Sequence, residues 1–94
     1  MTTLVWSKAF ARTFKRLART RPHLHARTIM TLGQLTADPF EASLRTHKLT
    51  GLLKNSWACT VDYDCRIIFE FVKNPRTGAQ EILLLTMGTH DEVY

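Results

Sequence analysis

The spacing of apolar residues along this chain changes once, at Pro39, and the change divides it into a helical part and a strand part. Leu4, Val5 and Trp6 form a short apolar run suited to a strand. Ser7 follows, where a helix N-cap belongs. In KAFARTFKRLART, Phe10, Phe14 and Leu17 recur at helical spacing, with Arg12, Lys15, Arg16 and Arg19 around them. Thr20-Arg21-Pro22 breaks this helix, and Pro22 can open the next at its first turn. Leu24, Thr28, Ile29, Leu32 and Leu35 give the second helix an apolar stripe, with Gly33 its weak spot, and Asp38-Pro39 ends it. The expected product is a helical hairpin over residues 7–38, basic on its outside.

Beyond Pro39 the chain is rich in β-branched and aromatic residues and reads as strands. Asn55-Ser56 and Tyr63-Asp64 are turn or bend points. In RIIFEFV, Ile67, Phe69 and Phe71 fall on one face and Arg66, Ile68 and Glu70 on the other. NPRTG at 74–78 is a strong turn, and EILLLTMG is the last strand, ended by Gly88. The expected fold is a single α+β domain over residues 1–94, ordered β-α-α-β-β-β. An antiparallel sheet would carry the two helices on one face. Its other face is then free of helices. On the strand from Trp57, alternation puts Trp57, Cys59, Val61 and Tyr63 on one side. Ala58, Thr60, Asp62 and Asp64 fall on the other, polar side. If Arg66 shares that polar face, a carboxylate and a guanidinium lie close together. Such a pair is equally an ordinary surface ion pair.

Charge sharpens this division. Lys8, Arg12, Lys15, Arg16, Arg19, Arg21 and Arg27 precede Asp38, the first acid of the chain. From Asp38 onward six basic residues face eight acidic ones. The hairpin is therefore a basic module suited to polyanions, while a merely solvated helix face is the plain alternative. With 45% hydrophobic residues the chain can build a real but modest core. It has no apolar run near the ~20 residues of a membrane span, and its N-terminus lacks the apolar stretch of a signal peptide. The expected location is the cytoplasm. Cys59 and Cys65 fit neither a metal nor a thioredoxin-like spacing, and both are read as reduced strand residues. His23 and His25 are read as surface residues of the hairpin, and Trp6 and Trp57 as packing residues.

HKLTGLLKNSWACTVDYDCRIIFEF followed by LLLTMGTHDEVY resembles the RelE/ParE superfamily of bacterial toxins, and within it the histidine-bearing, YafQ-like branch. The carriers are His-x-Leu-x-Gly at 47–51, an aromatic-rich strand with its Asp and Arg, and a Gly-x-His-x-x-x-aromatic ending. The resemblance spans the whole chain. It implies a RelE-like fold and a metal-free mRNA endoribonuclease acting in the ribosomal A site. It also implies a cognate antitoxin as partner, and operator DNA bound only through the toxin–antitoxin complex, with no cofactor and no membrane. Carried over residue by residue, it marks His47, Asp64, His90 and Tyr94 as site residues, with Arg66 matching an arginine of the RelE branch. Lys54 lies where that branch places lysines. The sequence departs from the branch at Thr60, Cys65 and Lys48, where a histidine, a tryptophan and a proline are usual.

Metal-free RNA cleavage needs a base for the 2′-hydroxyl, an acid for the departing 5′-oxygen and a cation for the phosphorane. Under the resemblance His47 and His90 share the acid and base roles. Asp64 orients a histidine or acts as base, Arg66 holds the phosphate with Lys54 as helper, and Tyr94 stacks or reaches the scissile phosphate. Arg12, Lys15, Arg16 and Arg19 hold RNA or dock the antitoxin. Without the resemblance, His90 is a turn residue and Tyr94 a hydrophobic clasp. Two other functions fit the same fold: a ParE-like poison that binds DNA gyrase without nuclease chemistry, and an inactive relative serving only as co-repressor.

Overall fold

A computed structural model describes residues 2–51 and 55–89. Strand β1 (Thr3–Trp6) leads into helices α1 (Lys8–Thr20) and α2 (Pro22–Ala37). A 3-10 turn at Ala42–Leu44 precedes strands β2 (His47–Lys48), β3 (Trp57–Asp62), β4 (Cys65–Lys73) and β5 (Gln80–Gly88). Each boundary has a local cause. Ser7 Oγ accepts the Phe10 amide at 3.0 Å and caps α1. Pro22 opens α2 and Asp38 caps its end. In the 74–78 turn, Asn74 Oδ1 accepts the amides of Arg76 and Thr77, and Gly78 takes a φ of 76°. That left-handed conformation favours glycine.

The sheet runs β1-β5-β4-β3-β2. The meander β3-β4-β5 is antiparallel as expected. Two features correct the sequence reading. β1 pairs in parallel with β5, Thr3 facing Glu81 and Trp6 facing Leu84, so the sheet is mixed. A further strand, β2, pairs antiparallel with β3 at the opposite edge. Alternation reveals strands but not their partners, and two residues are too few to alternate.

The helical hairpin covers one face. Phe10, Leu17, Leu24, Leu32 and Leu35 pack there against Cys59, Val61, Ile67, Phe69, Ile82, Leu84 and Met87. Leu84 and Met87 are three apart, yet both face this core. The register explains it: Ile68 pairs with Thr86 and Phe69 with Leu84, so Leu85 is an extra residue in β5. β3 has a matching bulge. Thr60 pairs with Arg66 and Asp62 with Cys65, which leaves Val61 extra. The hairpin satisfies both bulge carbonyls. Ser7 Oγ donates to Leu85 O at 2.8 Å. Arg27 donates from Nε and Nη2 to Val61 O at 3.3 and 3.2 Å. Ser7→Ala therefore removes both a helix cap and a carbonyl's partner. We expect it to cost about 1–2 kcal/mol in urea denaturation, with Ser7→Thr retaining most of the stability.

In α2 the buried positions are Leu24, Thr28, Thr31, Leu32 and Leu35. Ile29, placed in the apolar stripe by spacing, is 52% exposed beside exposed Met30. The sheet meets α2 along a line that Thr31 occupies instead. His25 is not a simple surface residue either: its ring lies 4.4 Å from that of Phe14. Trp6 sets its edge against Phe10 and Phe14, and Trp57 against Phe40 and Phe71, so both tryptophans pack.

Cys59 and Cys65 are buried and are not joined in a disulfide. Burial pushes the Cys59 thiol up from 9.0 to about 12; nearby Cys65 adds to the rise, and a hydrogen bond with the Ile67 backbone opposes it. The native state thus keeps a proton that the unfolded chain releases earlier. This contribution to stability is complete below the ordinary thiol value and is lost as pH climbs from about 9 towards 12. We expect Cys59 to resist iodoacetamide at pH 8 in the native protein and to react fully in denaturant, as read by mass spectrometry. No described helix is long and apolar enough to cross a membrane.

Candidate active site

The face of the sheet away from the helices carries the site. Residues directly opposite in paired strands share a face. His47 lies opposite Ala58, and Ala58 opposite Ile68. In the neighbouring row, Thr60 lies opposite Arg66 and Arg66 opposite Gly88. The register thus brings His47, Thr60 and Arg66 to one face, although 18 residues separate the histidine from the arginine in the chain. A cleft of about 530 Å³ opens over them. Arg27, Arg45, Asp62 and Tyr63 complete its lining. Three guanidinium groups and an imidazole therefore face one carboxylate.

The imidazole has a defined partner. His47 Nδ1 lies 3.0 Å from the Arg45 carbonyl oxygen. A carbonyl can only accept, so Nδ1 carries the hydrogen, and in the neutral ring Nε2 keeps its lone pair. Arg45 reaches this position through an unusual backbone, φ 51° and ψ 40°. It is the one non-glycine with positive φ among the described residues. Just before β2, Thr46 Oγ1 donates to Pro39 O at 2.6 Å and fixes the entry of the chain. A left-handed L-residue costs roughly 1–2 kcal/mol. We expect Arg45→Gly to stay within about 1 kcal/mol of wild-type stability and Arg45→Val to lose about 1–2 kcal/mol, compared by urea midpoint.

The other walls are anchored as well. Arg27 is clamped on the Val61 carbonyl, which ties α2 to the site. Asp62 Oδ1 accepts the Tyr63 amide at 2.7 Å. Tyr63 and Asp64 form the two-residue link between β3 and β4. Here the alternation expected from sequence fails. The bulge at Val61 and the turn, expected at Tyr63-Asp64, rotate the chain, so Tyr63, placed by alternation on the side of Cys59 and Val61, is 94% exposed at the cleft. Asp64, assigned to the polar face, instead lines a separate cavity of about 150 Å³ with Arg16, Arg21, Cys65, Gly88 and Thr89.

Of the site residues expected from sequence, the structure brings His47 and Arg66 together and sets Asp64 apart from them. Arg12, Lys15, Arg16 and Arg19 are exposed on α1 and do not line the larger cleft. Lys54, His90 and Tyr94 lie outside the described residues. Sequence reasoning had not placed Arg27, Arg45 or Tyr63 in the site. Arg27 was visible only as one of seven cations, and no sequence signal marks the left-handed turn at Arg45.

Comparison with known proteins agrees with this architecture. Residues 2–94 match the family described as the bacterial toxin of the type II toxin–antitoxin system, YafQ. Among solved structures, a YoeB/ParE toxin from Agrobacterium tumefaciens superposes with a TM-score of 0.78 at 15% identity, covering 95% of this chain and 99% of its own. A conserved hypothetical protein from Helicobacter pylori gives 0.71 at 25% identity, with both chains fully covered. The E. coli DinJ–YafQ complex gives 0.68 at 18% identity, covering 100% of this chain and 99% of that one. No curated protein matches.

Proposed function

This chain belongs to the YafQ family of toxins of bacterial type II toxin–antitoxin systems, and from that premise we propose that it is an endoribonuclease that cuts mRNA in the ribosomal A site without a metal ion. The observation that carries this reading is the shared cleft of His47 and Arg66. His47 Nε2 takes the proton from the ribose 2′-hydroxyl. The freed O2′ attacks phosphorus and the bond to O5′ breaks, which leaves a 2′,3′-cyclic phosphate and a 5′-hydroxyl. Arg66, with Arg45 beside it, meets the charge that grows on the phosphoryl oxygens.

The proton for O5′ is assigned to His90, which follows Gly88, the strand partner of Arg66, by two residues. Asp64 shares its cavity with Gly88 and Thr89 and is proposed to orient His90. Tyr94 stacks on the substrate and Lys54 assists with phosphate. Arg12, Lys15, Arg16 and Arg19 hold ribosomal RNA, an affinity that should fall steeply with salt. Thr60 cannot titrate near neutrality, so the imidazoles at 47 and 90 carry the acid–base work. The DinJ–YafQ complex is a precedent for a protein partner; the proposed partner of this chain is a cognate antitoxin that silences it, the pair repressing its own operon at operator DNA.

The test is cleavage of a message on programmed ribosomes, with DNA gyrase supercoiling measured in parallel. We expect cuts that survive a chelator, end in cyclic phosphate and fade in His90→Ala. Inhibited supercoiling with an intact message would sink the nuclease reading in favour of a gyrase poison. An intact message with normal supercoiling would leave only the co-repressor role.

A further inference from the structure

The tip of the β3–β4 hairpin carries a tyrosine that packing does not explain. Tyr63 is 94% exposed, the highest value of any large hydrophobic side chain described. It makes none of the aromatic contacts that engage Trp6, Phe10, Phe14, Phe40, Trp57 and Phe71. Yet it is held in place. Its amide is fixed by Asp62, and the bulge beneath it is fixed by Arg27. The ring therefore stands on an anchored tip at the lip of a cleft lined also by three arginines, an imidazole, Thr60 and one carboxylate, Asp62. Among the described residues, neither the Arg45 nor the Arg66 guanidinium has a carboxylate within ion-pairing distance.

We propose that Tyr63 and Arg45 form a nucleotide subsite beside the scissile bond: the ring stacks on one unpaired base, and Arg45 binds the phosphate next to it. The subsite rests on the nuclease reading above and adds what the cleft selects. A phenol ring offers any base a flat apolar surface, and guanidinium groups offer its phosphates charge and donors. An acidic peptide would satisfy the arginines but would leave an exposed ring with nothing to stack on. A cleft of about 530 Å³ admits such a residue with part of its neighbour. Stacking needs a base free of its helix, so the subsite favours single-stranded RNA. Purines, with the larger face, should be held more tightly than pyrimidines at this position.

The probe is a message with 2-aminopurine at one A-site position and 2′-O-methyl groups that remove the nucleophile, bound to programmed ribosomes. Wild type and Tyr63→Phe should quench the fluorophore at a single position. Tyr63→Ala should abolish the quench and weaken protein binding by about 5- to 150-fold. Tyr63 is so exposed that this change spares the fold, which thermal melting verifies. Arg45→Ala should lower the salt dependence of binding by about one phosphate contact. Unchanged quenching and affinity in Tyr63→Ala would overturn the subsite. So would the absence of any quench in wild type, the result expected if the cleft holds an acidic peptide instead. Cleavage of an unmodified message is scored separately. Tyr63-dependent quenching without cleavage removes the nuclease reading and leaves the subsite standing. Cleavage indifferent to Tyr63 does the reverse.

Discussion

His47→Ala is expected to lower the rate of message cleavage by about 10²- to 10⁴-fold, the range for losing one positioned acid–base group. Binding to the ribosome should stay near wild type, because the cations of α1 lie outside the cleft. With His47 as base, the loss should fall on the chemical step, so single-turnover cleavage by ribosome-bound protein slows while its affinity does not. Added imidazole should restore part of the rate if the truncated side chain leaves room for it. The comparison with Arg66→Ala is informative. Removing the arginine takes away charge stabilisation rather than proton transfer, so added imidazole should not restore the slower rate. Full activity in His47→Ala would falsify the assignment of that ring as base, and the cleft would then need a different proton acceptor.

Phe10→Ala is expected to cost about 3–5 kcal/mol, against a total stability of roughly 5–15 kcal/mol for a domain of this kind. Phe10 has no exposed surface and occupies the middle of the contact between hairpin and sheet. Trp6 lies against it at 5.0 Å between ring centroids, and Phe14 stacks beyond at 6.5 Å. Truncation leaves a hole that three neighbouring elements cannot close without moving β1 or α1. Urea denaturation followed by tryptophan fluorescence reads the loss directly, since Trp6 borders the cavity. Met30→Ala is the matched control: Met30 is 64% exposed, and its loss should change stability little. Equal midpoints for the two variants would show that the hairpin is not docked as described.

The two bulges connect these predictions. Each presents a carbonyl to the hairpin, and in each case the hairpin supplies a donor, Ser7 for Leu85 and Arg27 for Val61. The second of these clamps adjoins the cleft. Loosening the hairpin should therefore disturb the site as well as the core. Arg27→Ala is the variant in which stability and activity fall together. A bulge that re-aims the end of a strand also explains how Tyr63 and Asp64, adjacent in the chain, come to line two separate cavities.

Much of this protein was legible along the chain, because local physics acts over a few residues. The cap at Ser7, the break at Pro22, the stop at Asp38 and the turn at 74–78 all depend on side chains within one turn of the backbone they satisfy. The separation of a basic hairpin from a strand-rich half needed only composition. His47 and Arg66 were marked by residue type and by resemblance to a toxin family. Tertiary structure alone decided which strands pair, and so made the sheet mixed, seated β1 against β5 and added β2 at the far edge. It alone inserted the extra residues Val61 and Leu85, which ended the simple alternation, and it put Asp64 and His47 in different cavities. It also drew Arg27 and Arg45 into the cleft. The reason is one of range: pairing register and bulges are set by how a whole sheet face fits the helices above it. That fit sums contacts between residues tens of positions apart, which no short window of sequence contains.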